Sequence, residues 1–207
     1  MKKIGIFGGS FNPPHNGHIN IVRKITDFYG FDKVFIIPSS IPPHKRIIGD
    51  VTPIERYEMC KLAFNDSDFF VSDIEMQRQG KSYTYDTLLE LKNSNNGELN
   101  LIIGSDMLLC FEEWYRYEDI LSMAKIIVSA RIASKKEASL IKYKANKLNR
   151  LYPGAVTIFY TVPFEISSTQ IREMLRNNED ISRFVPELVC EYIYRRGLYG
   201  GKEATGI

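Results

Sequence analysis

The stretch of sequence that decides the fold is Gly8-Gly9-Ser10-Phe11-Asn12-Pro13-Pro14-His15-Asn16-Gly17-His18. A short apolar run, residues 4–7, precedes it, and an amphipathic run, residues 19–29, follows it. This order predicts a strand, a glycine turn and a helix, because glycine lets the backbone turn tightly and approach a ligand closely. The N–H groups of a first helical turn have no partner inside the helix and lie at its positive dipole end. The junction is therefore a predicted phosphate-binding site.

Two of the three histidines of the chain lie in this stretch, three residues apart. If the helix begins near Pro14, His15 and His18 share one face of its first turn. Imidazoles at a phosphate-binding helix start indicate phosphate chemistry, and a glycine turn with two surface histidines is the alternative. The third histidine, His44, lies in a second candidate phosphate loop, Pro42-Pro43-His44-Lys45-Arg46, which could instead be a stiff, solvated connector.

Strand-like runs alternate with helix-like runs along the chain. Several runs, such as Val34-Phe35-Ile36-Ile37, are almost continuously apolar, which is typical of strands buried on both faces of a parallel sheet. The clearest helix start is Thr52-Pro53-Ile54-Glu55, with a capping threonine, a proline at the first helical position and a glutamate three residues after the cap. The predicted strands are residues 3–7, 33–37, 69–74, 99–103, 125–129 and 156–160.

This alternation predicts an α/β fold with a doubly wound, mainly parallel sheet. We expect a single domain over residues 1–199, with a small helical C-terminal part at about residues 167–199 and a flexible tail at residues 200–207. The loops after the first, second and fourth predicted strands should meet at the carboxyl edge of the sheet. Doubly wound folds bind their ligands at that edge.

The composition indicates a soluble globular protein, since 44% of the 207 residues are hydrophobic and 25% are charged. The net charge of +2 is too small to indicate nucleic-acid binding, and no apolar run reaches the ~18 residues of a membrane span. Cys60, Cys110 and Cys190 are widely spaced, which predicts reduced thiols in a cytoplasmic protein. The histidines have no clustered partners, so no protein-held metal site is predicted.

Two common nucleotide-binding motifs are excluded. Gly80-Lys81-Ser82 is not part of a Walker A loop, because Glu75 stands where that motif needs its first glycine. No Gly-x-Gly-x-x-Gly pattern follows the first strand, which disfavours a dinucleotide-dependent dehydrogenase.

A second helix start is predicted at Ser167 or Ser168, either of which could cap the helix that follows. Capping alone is one interpretation, and the other adds an anion cup built from the hydroxyls, the helix N–H groups and Arg172. Asp106 likewise either caps the run after it or contacts a nucleotide, by hydrogen-bonding ribose hydroxyls or by ordering the phosphates. Trp114, the only tryptophan, either packs on the core or stacks on a ring.

Together these motifs resemble a known family. Residues 8–18 resemble the first signature of the nucleotidyltransferases that carry His-x-Gly-His, and Ile166-Ser167-Ser168-Thr169-Gln170-Ile171-Arg172 resembles their second, Ile-Ser-Ser-Thr-x-Ile-Arg. The fuller pattern resembles the bacterial nicotinate mononucleotide adenylyltransferases and covers essentially the whole chain. The further matching positions are residues 42–45, 83–88 and 104–106, Trp114, and residues 185–199.

The resemblance implies a Rossmann-like nucleotidyltransferase fold and adenylyl transfer from ATP to nicotinate mononucleotide, giving nicotinate adenine dinucleotide and pyrophosphate in NAD biosynthesis. It implies direct attack of the mononucleotide phosphate on the α-phosphorus of ATP, with Mg²⁺ held chiefly by substrate oxygens and water. No nucleic acid or membrane partner is expected, and a homo-oligomer is compatible with the sequence. The alternatives are a phosphopantetheine adenylyltransferase and a nucleotide-sensing module without turnover.

The resemblance also implies roles for individual residues. His15 and His18 would be catalytic and would donate hydrogen bonds to the α- and β-phosphate oxygens. The ATP-binding residues would be Gly8, Gly9, Ser10, Phe11, Ser167, Ser168 and Arg172. The residues that bind the mononucleotide would be His44, Lys45, Thr84, Asp106, Trp114 and Tyr115.

Overall fold

One parallel sheet forms the centre of the protein. The computed structural model describes residues 1–41, 51–131, 134–161 and 166–201. Within them the sheet has the strand order β3-β2-β1-β4-β5-β6, and every neighbouring pair runs parallel. The strands are β1 (Lys2–Gly9), β2 (Lys33–Pro38), β3 (Phe69–Val71), β4 (Gly97–Gly104), β5 (Ala124–Arg131) and β6 (Val156–Thr161). All six predicted strands are therefore present, and the prediction of a mainly parallel sheet is confirmed.

Helices cover both faces of the sheet. They are α1 (Asn16–Tyr29), α2 (Pro53–Ala63), α3 (Thr84–Ser94), α4 (Ser105–Leu109), α5 (Tyr117–Met123), α6 (Lys135–Leu151), α7 (Ser168–Arg176) and α8 (Glu187–Arg195). Two short 3₁₀ turns, Phe111–Glu113 and Leu198–Gly200, complete the described elements. None of the helices within the described residues is long and apolar enough to cross a membrane.

The core is divided in two by the sheet. One buried cluster packs α1, α2, α7 and α8 against one face, and the other packs α3, α4, α5 and α6 against the opposite face. Strand β4 shows the division, because Ile102 belongs to the first cluster while Leu101 and Ile103 belong to the second. Side chains alternate along a strand, so a strand covered on both faces needs apolar residues at successive positions.

Local sequence signals explain several element ends. Helix α2 begins as predicted, since the Glu55 N–H donates to Thr52 Oγ1 (3.2 Å) and the Thr52 N–H donates to Glu55 Oε2 (2.9 Å). Helix α1 ends at Gly30, whose φ of 63° lies in the left-handed region that glycine favours. Strands β2 and β3 extend the sheet on one side of β1, and β4, β5 and β6 extend it on the other side. The loops after β1 and β4 therefore flank the crevice where doubly wound folds bind ligands.

Most predicted strand ends differ from the observed ones by one to three residues, and the end of β3 shows the largest of these differences. Strand β3 ends at Val71 instead of residue 74, because the Ser72 N–H makes a last bond to Ile36 O (2.9 Å) and a turn follows at Asp73. Helix α1 begins at Asn16 with His15 as its N-cap, slightly later than the Pro14 start considered above. Of the predicted flexible tail, residues 202–207 lie outside the described residues.

Candidate active site

The loop between β1 and α1 brings the two histidines of the first motif together. The ring centroids of His15 and His18 are 3.7 Å apart, at an interplanar angle of 31°. The His15 backbone N–H donates to Nδ1 of His18 (3.2 Å), so Nε2 is the ring nitrogen of His18 that carries the proton. His15 is only 3% exposed and His18 is half-buried, which contradicts the alternative of two surface histidines.

The glycines and Phe11 shape the approach to this pair. A side chain at Gly8 would meet nothing closer than Ile37 O at 4.0 Å, whereas one at Gly9 would press on the Phe11 ring at 3.2 Å. Phe11 has φ of 43°, is 1% exposed and packs edge-on against His18, with ring centroids 5.1 Å apart. Because its ring is in the core, the predicted ATP contact of Phe11 would have to come from its backbone.

Side chains from two other helices hold the main-chain carbonyls of this loop. Arg56 Nη1, on α2, donates to Ser10 O (2.8 Å), and Arg172 Nη1, on α7, donates to Asn12 O (2.7 Å). The C=O and N–H of a trans peptide point in opposite directions, so the Phe11 N–H points away from Arg56. The two arginines thus hold the main-chain oxygens of Ser10 and Asn12, while the Phe11 N–H lies on the opposite side of its peptide from Arg56.

Arg56 is a residue that the sequence analysis missed. It is fully buried, and besides Ser10 it donates through Nη2 to Ser40 O (3.1 Å), so it joins the loops after β1 and β2. Burial lowers the pKa of Arg56, while the nearby Tyr199, Cys60 and Glu75 act in the opposite direction. No local pattern marks this arginine, because its partners lie 46 and 16 positions away.

The start of α7 lies against the same loop. Ser167 caps the helix, with the Gln170 N–H donating to its Oγ (3.3 Å), and the Ser168 hydroxyl donates to Pro13 O (2.8 Å). The structure therefore brings the two signature motifs together. Arg172 is 6% exposed and donates both to Asn12 O of the loop and to Thr169 Oγ1 (3.1 Å). Its contact with phosphate stays a prediction.

The loop after β2 starts beside the same site. The Ser39 N–H donates to Gly9 O (2.9 Å), which fixes the end of β2 against the end of β1. Ile41 and Ser82 exchange two hydrogen bonds, Ile41 N–H to Ser82 Oγ (3.1 Å) and Ser82 N–H to Ile41 O (2.8 Å). His44 and Lys45, predicted to bind the mononucleotide, lie outside the described residues.

Aromatic side chains surround the start of α3, where Thr84 is the first residue. The ring centroid of Tyr115 lies 4.8 Å from that of Tyr83 and 5.9 Å from that of Tyr85, so Tyr115 packs against the residues on either side of Thr84. Trp114 is half-buried and packs on Phe111 at 5.1 Å, which gives it a packing role. Stacking of Trp114 on a ligand ring stays a prediction.

A buried carboxylate supports this part of the site and was also missed. Glu75 Oε1 accepts a hydrogen bond from the Thr87 hydroxyl (2.9 Å), and burial raises the pKa of Glu75. Arg78 donates to the same hydroxyl, so the segment before α3 is tied to its first turns. The position of Thr84 therefore depends on polar contacts that no short motif reveals.

Asp106 lies at the end of β4, next to β1 in the sheet. It is exposed at the second position of α4, whose N-cap is Gly104, so the proposal that Asp106 caps the helix is wrong. A side chain at Gly104 would collide with the Asp106 carboxylate. An exposed carboxylate at the switch point is compatible with the alternative, contact with a ribose.

The starts of α1 and α7 both lie within the part of the chain that matches a known protein family. The model of the family described as cytidylyltransferase-like matches residues 6–174, from β1 into α7. The chain belongs to the cytidylyltransferase-like family.

Named relatives match over almost the whole of this chain. The nicotinate-nucleotide adenylyltransferase of Bacillus subtilis is 37% identical over 202 residues, which cover 96% of this chain and 99% of the relative. The probable nicotinate-nucleotide adenylyltransferase of Clostridium acetobutylicum is 38% identical over 202 residues, 96% of this chain and all of the relative. The resemblance drawn from the motifs is thereby confirmed.

A solved structure supports the fold. Plasmodium falciparum nicotinic acid mononucleotide adenylyltransferase complexed with NaAD superposes with a TM-score of 0.79, at 23% identity over 98% of this chain and 99% of that chain. At this identity the likeness shows the fold alone, and it confirms the predicted nucleotidyltransferase fold.

Proposed function

We propose that the protein is a nicotinate-nucleotide adenylyltransferase of NAD biosynthesis. It joins ATP and nicotinate mononucleotide to give nicotinate adenine dinucleotide and pyrophosphate. The observation that carries this proposal is the His15–His18 pair, 3.7 Å apart at the first turn of α1 and next to the start of α7. The full-length relatives with 37% and 38% identity bear the name of this activity.

The chemistry is a single displacement at phosphorus. An oxygen of the mononucleotide phosphate attacks the α-phosphorus of ATP, and a new P–O bond forms. The bond from the α-phosphorus to the oxygen that bridges it to the β-phosphorus breaks, and pyrophosphate leaves with the electron pair. Charge grows on the α-phosphate oxygens in between, so the protein acts mainly by positioning and by hydrogen-bond donors aimed at those oxygens.

His15 and His18 supply such donors. Nε2 of His18 carries the proton, because Nδ1 already accepts from the His15 backbone. His18 therefore donates to phosphate as a neutral ring, since a proton on Nδ1 would set a second donor against the His15 N–H. Neither histidine needs to act as a nucleophile in this mechanism.

The two substrates would be held by opposite parts of the site. The turn at Gly8–Phe11 and the α7 start would hold the phosphates of ATP, because a helix N-terminus and backbone N–H groups favour anions. The aromatic group around the α3 start would take the pyridine ring, with Thr84 donating to its carboxylate. Asp106 would address ribose hydroxyls. His44 and Lys45 would hold the phosphate of the mononucleotide.

Mg²⁺ fits this site as a companion of ATP. Among residues 1–41, 51–131, 134–161 and 166–201, no group of three or more His, Cys, Asp or Glu side chains could hold a metal ion. The donors of the site are imidazoles, hydroxyls and N–H groups, which suit phosphate oxygens better than Mg²⁺. The bound ion would supply neutralisation of phosphate charge, and its ligands would be substrate oxygens and water.

The cell compartment and partners follow from the same proposal. Cys60, Cys110 and Cys190 are free thiols, as expected in the reducing cytoplasm, where we place the reaction. The two nucleotides are the partners. The net charge of +2 gives no reason to add a nucleic acid. A homo-oligomer remains compatible with the chain.

The direct test is pyrophosphate release from ATP with each acceptor supplied alone. We expect release with nicotinate mononucleotide, and at least about 10²-fold slower release from His18→Ala. Release with phosphopantetheine in place of the mononucleotide would identify the protein as a phosphopantetheine adenylyltransferase instead. Binding of the dinucleotide without release from any acceptor would make it a sensing module.

A further inference from the structure

The 3₁₀ turn Leu198–Gly200 places one tyrosine hydroxyl against the loop that holds the histidines. Tyr199 Oη donates to Asn12 Oδ1 at 2.7 Å, across 187 positions of sequence. Asn12 is 4% exposed and lies three residues before His15. Removing a donor from a buried acceptor weakens the contacts that fix the acceptor, so the hydroxyl of Tyr199 contributes to holding the Asn12 side chain in place.

The backbone at Tyr199 indicates that this contact is strongly determined. Tyr199 has φ of 60° and ψ of 15°, a left-handed conformation that costs energy for a residue other than glycine. Its ring packs against the buried cluster beneath α1, α2 and α7. Such a conformation persists when surrounding contacts hold it, and the bond to Asn12 is one of these contacts.

Two buried arginines lie beside the same ring. Arg56 and Arg172 both interact electrostatically with Tyr199, and each donates to a main-chain carbonyl of the loop, Ser10 O and Asn12 O. Burial raises the pKa of Tyr199, so its hydroxyl keeps its proton and acts as a donor at neutral pH. The two arginines thus hold the backbone of the loop while the tyrosine holds the side chain of Asn12.

We propose that Tyr199 is a positioning residue for adenylyl transfer, which acts through Asn12 to set the loop that carries His15. This proposal rests on the proposed function. Tyr199 touches neither substrate in it. The hydroxyl fixes the Asn12 side chain, the arginines fix the adjoining carbonyls, and the phosphate-binding face of the loop is set before ATP arrives.

The test compares two tyrosine-to-phenylalanine variants. Tyr199→Phe removes the hydroxyl and keeps the ring. Tyr29→Phe is the matched control, because it removes a hydroxyl that bonds to Thr157 Oγ1 (3.3 Å) at the far end of α1. We expect kcat/KM for ATP to fall about tenfold in Tyr199→Phe and to stay at the wild-type value in Tyr29→Phe, in assays run well below the melting temperature of every variant.

A double-mutant cycle separates positioning from general stability. In the Asn12→Ala background the hydroxyl has no acceptor, so adding Tyr199→Phe should cause no further loss of kcat/KM. Additive losses, or a Tyr199→Phe enzyme as fast as wild type, would overturn the proposal. A loss of kcat/KM that disappears when the assay temperature is lowered far below the melting temperature of the variant would overturn it as well.

Failure of the proposed function is recognised separately. Wild type is assayed with ATP and nicotinate mononucleotide in the same series, and absence of turnover there rejects the function alone. The positioning role is then measured by calorimetric titration with a non-reacting methylene analogue of ATP. About tenfold weaker binding to Tyr199→Phe than to Tyr29→Phe supports it, and equal binding overturns it.

Discussion

Replacing Arg56 by methionine should destabilise the fold far more than replacing an exposed arginine. Arg56 is 0% exposed and donates to two main-chain oxygens, Ser10 O (2.8 Å) and Ser40 O (3.1 Å). Methionine is of similar length but offers no N–H donor, so both oxygens lose their partner. At ~1–3 kcal/mol for each unsatisfied group, the free energy of unfolding should fall by about 2–6 kcal/mol.

The cost of burying the Arg56 charge lowers the expected loss of unfolding free energy. The variant no longer has to desolvate a buried charge, and that saving offsets part of the loss. We therefore expect a value in the lower half, about 2–4 kcal/mol, which is a large fraction of the ~5–15 kcal/mol stability of ordinary proteins.

Urea unfolding measures the loss in unfolding free energy. An equal slope m in the variant and the wild type shows that both unfold in the same transition. Arg23→Met is the control, since the Arg23–Asp66 pair is exposed, at 48% and 40% of the side chains. Exposed pairs contribute ~0–1 kcal/mol. If Arg56→Met lost no more stability than Arg23→Met, the idea that Arg56 holds two loops together would be refuted.

Three further substitutions have expected outcomes. His18→Ala should lower the single-turnover rate by roughly 10²–10³ at an unchanged melting temperature, and a rate within a few-fold of wild type would sink its role as a transition-state donor. Trp114→Ala should lower kcat/KM for nicotinate and nicotinamide mononucleotides alike, and a reversed preference would show that Trp114 itself discriminates. Hydrogen bonds from Lys144 and Lys147 lower the pKa of Glu112. The ionised Glu112 carboxylate therefore stabilises the fold above the unfolded-state pKa of about 4.3, and this contribution is lost as the pH falls through the folded-state pKa. Glu112→Gln should therefore reduce the free energy of unfolding by about 0.2–1 kcal/mol at pH 7, and an equal gap in urea titrations at strongly acidic pH would contradict this.

The strands and the main helix starts could be predicted because their signals are local. Apolar residues at successive positions, as in β2, indicate a strand covered on both faces, and the sheet places helices on both. Thr52 and Glu55 form the expected capping box, since all of its atoms lie within one turn. Strand β3 was predicted too long because apolar content does not reveal the turn at Asp73.

The candidate site was only partly predictable, because much of it is held by distant contacts. The two motifs placed His15 and Ser168 correctly at helix starts, since a motif with a helix after it is a local feature. Arg56 and Tyr199 were missed, as their partners lie 46 and 187 positions away. Asp106 was considered as a helix cap because aspartate is common at that position, but the N-cap of α4 is Gly104.

The central claim is adenylyl transfer to the acid form of the mononucleotide. A site of backbone N–H groups and the Thr84 hydroxyl suits a carboxylate, which only accepts, whereas the NH₂ of an amide would face those donors with another donor. Equimolar nicotinate and nicotinamide mononucleotides, competing for limiting ATP, give the ratio of kcat/KM directly from the two dinucleotide products by mass spectrometry. We predict at least about a tenfold excess of nicotinate adenine dinucleotide, equivalent to ~1.4 kcal/mol. Equal amounts of the two products, or an excess of the amide product, would contradict the account.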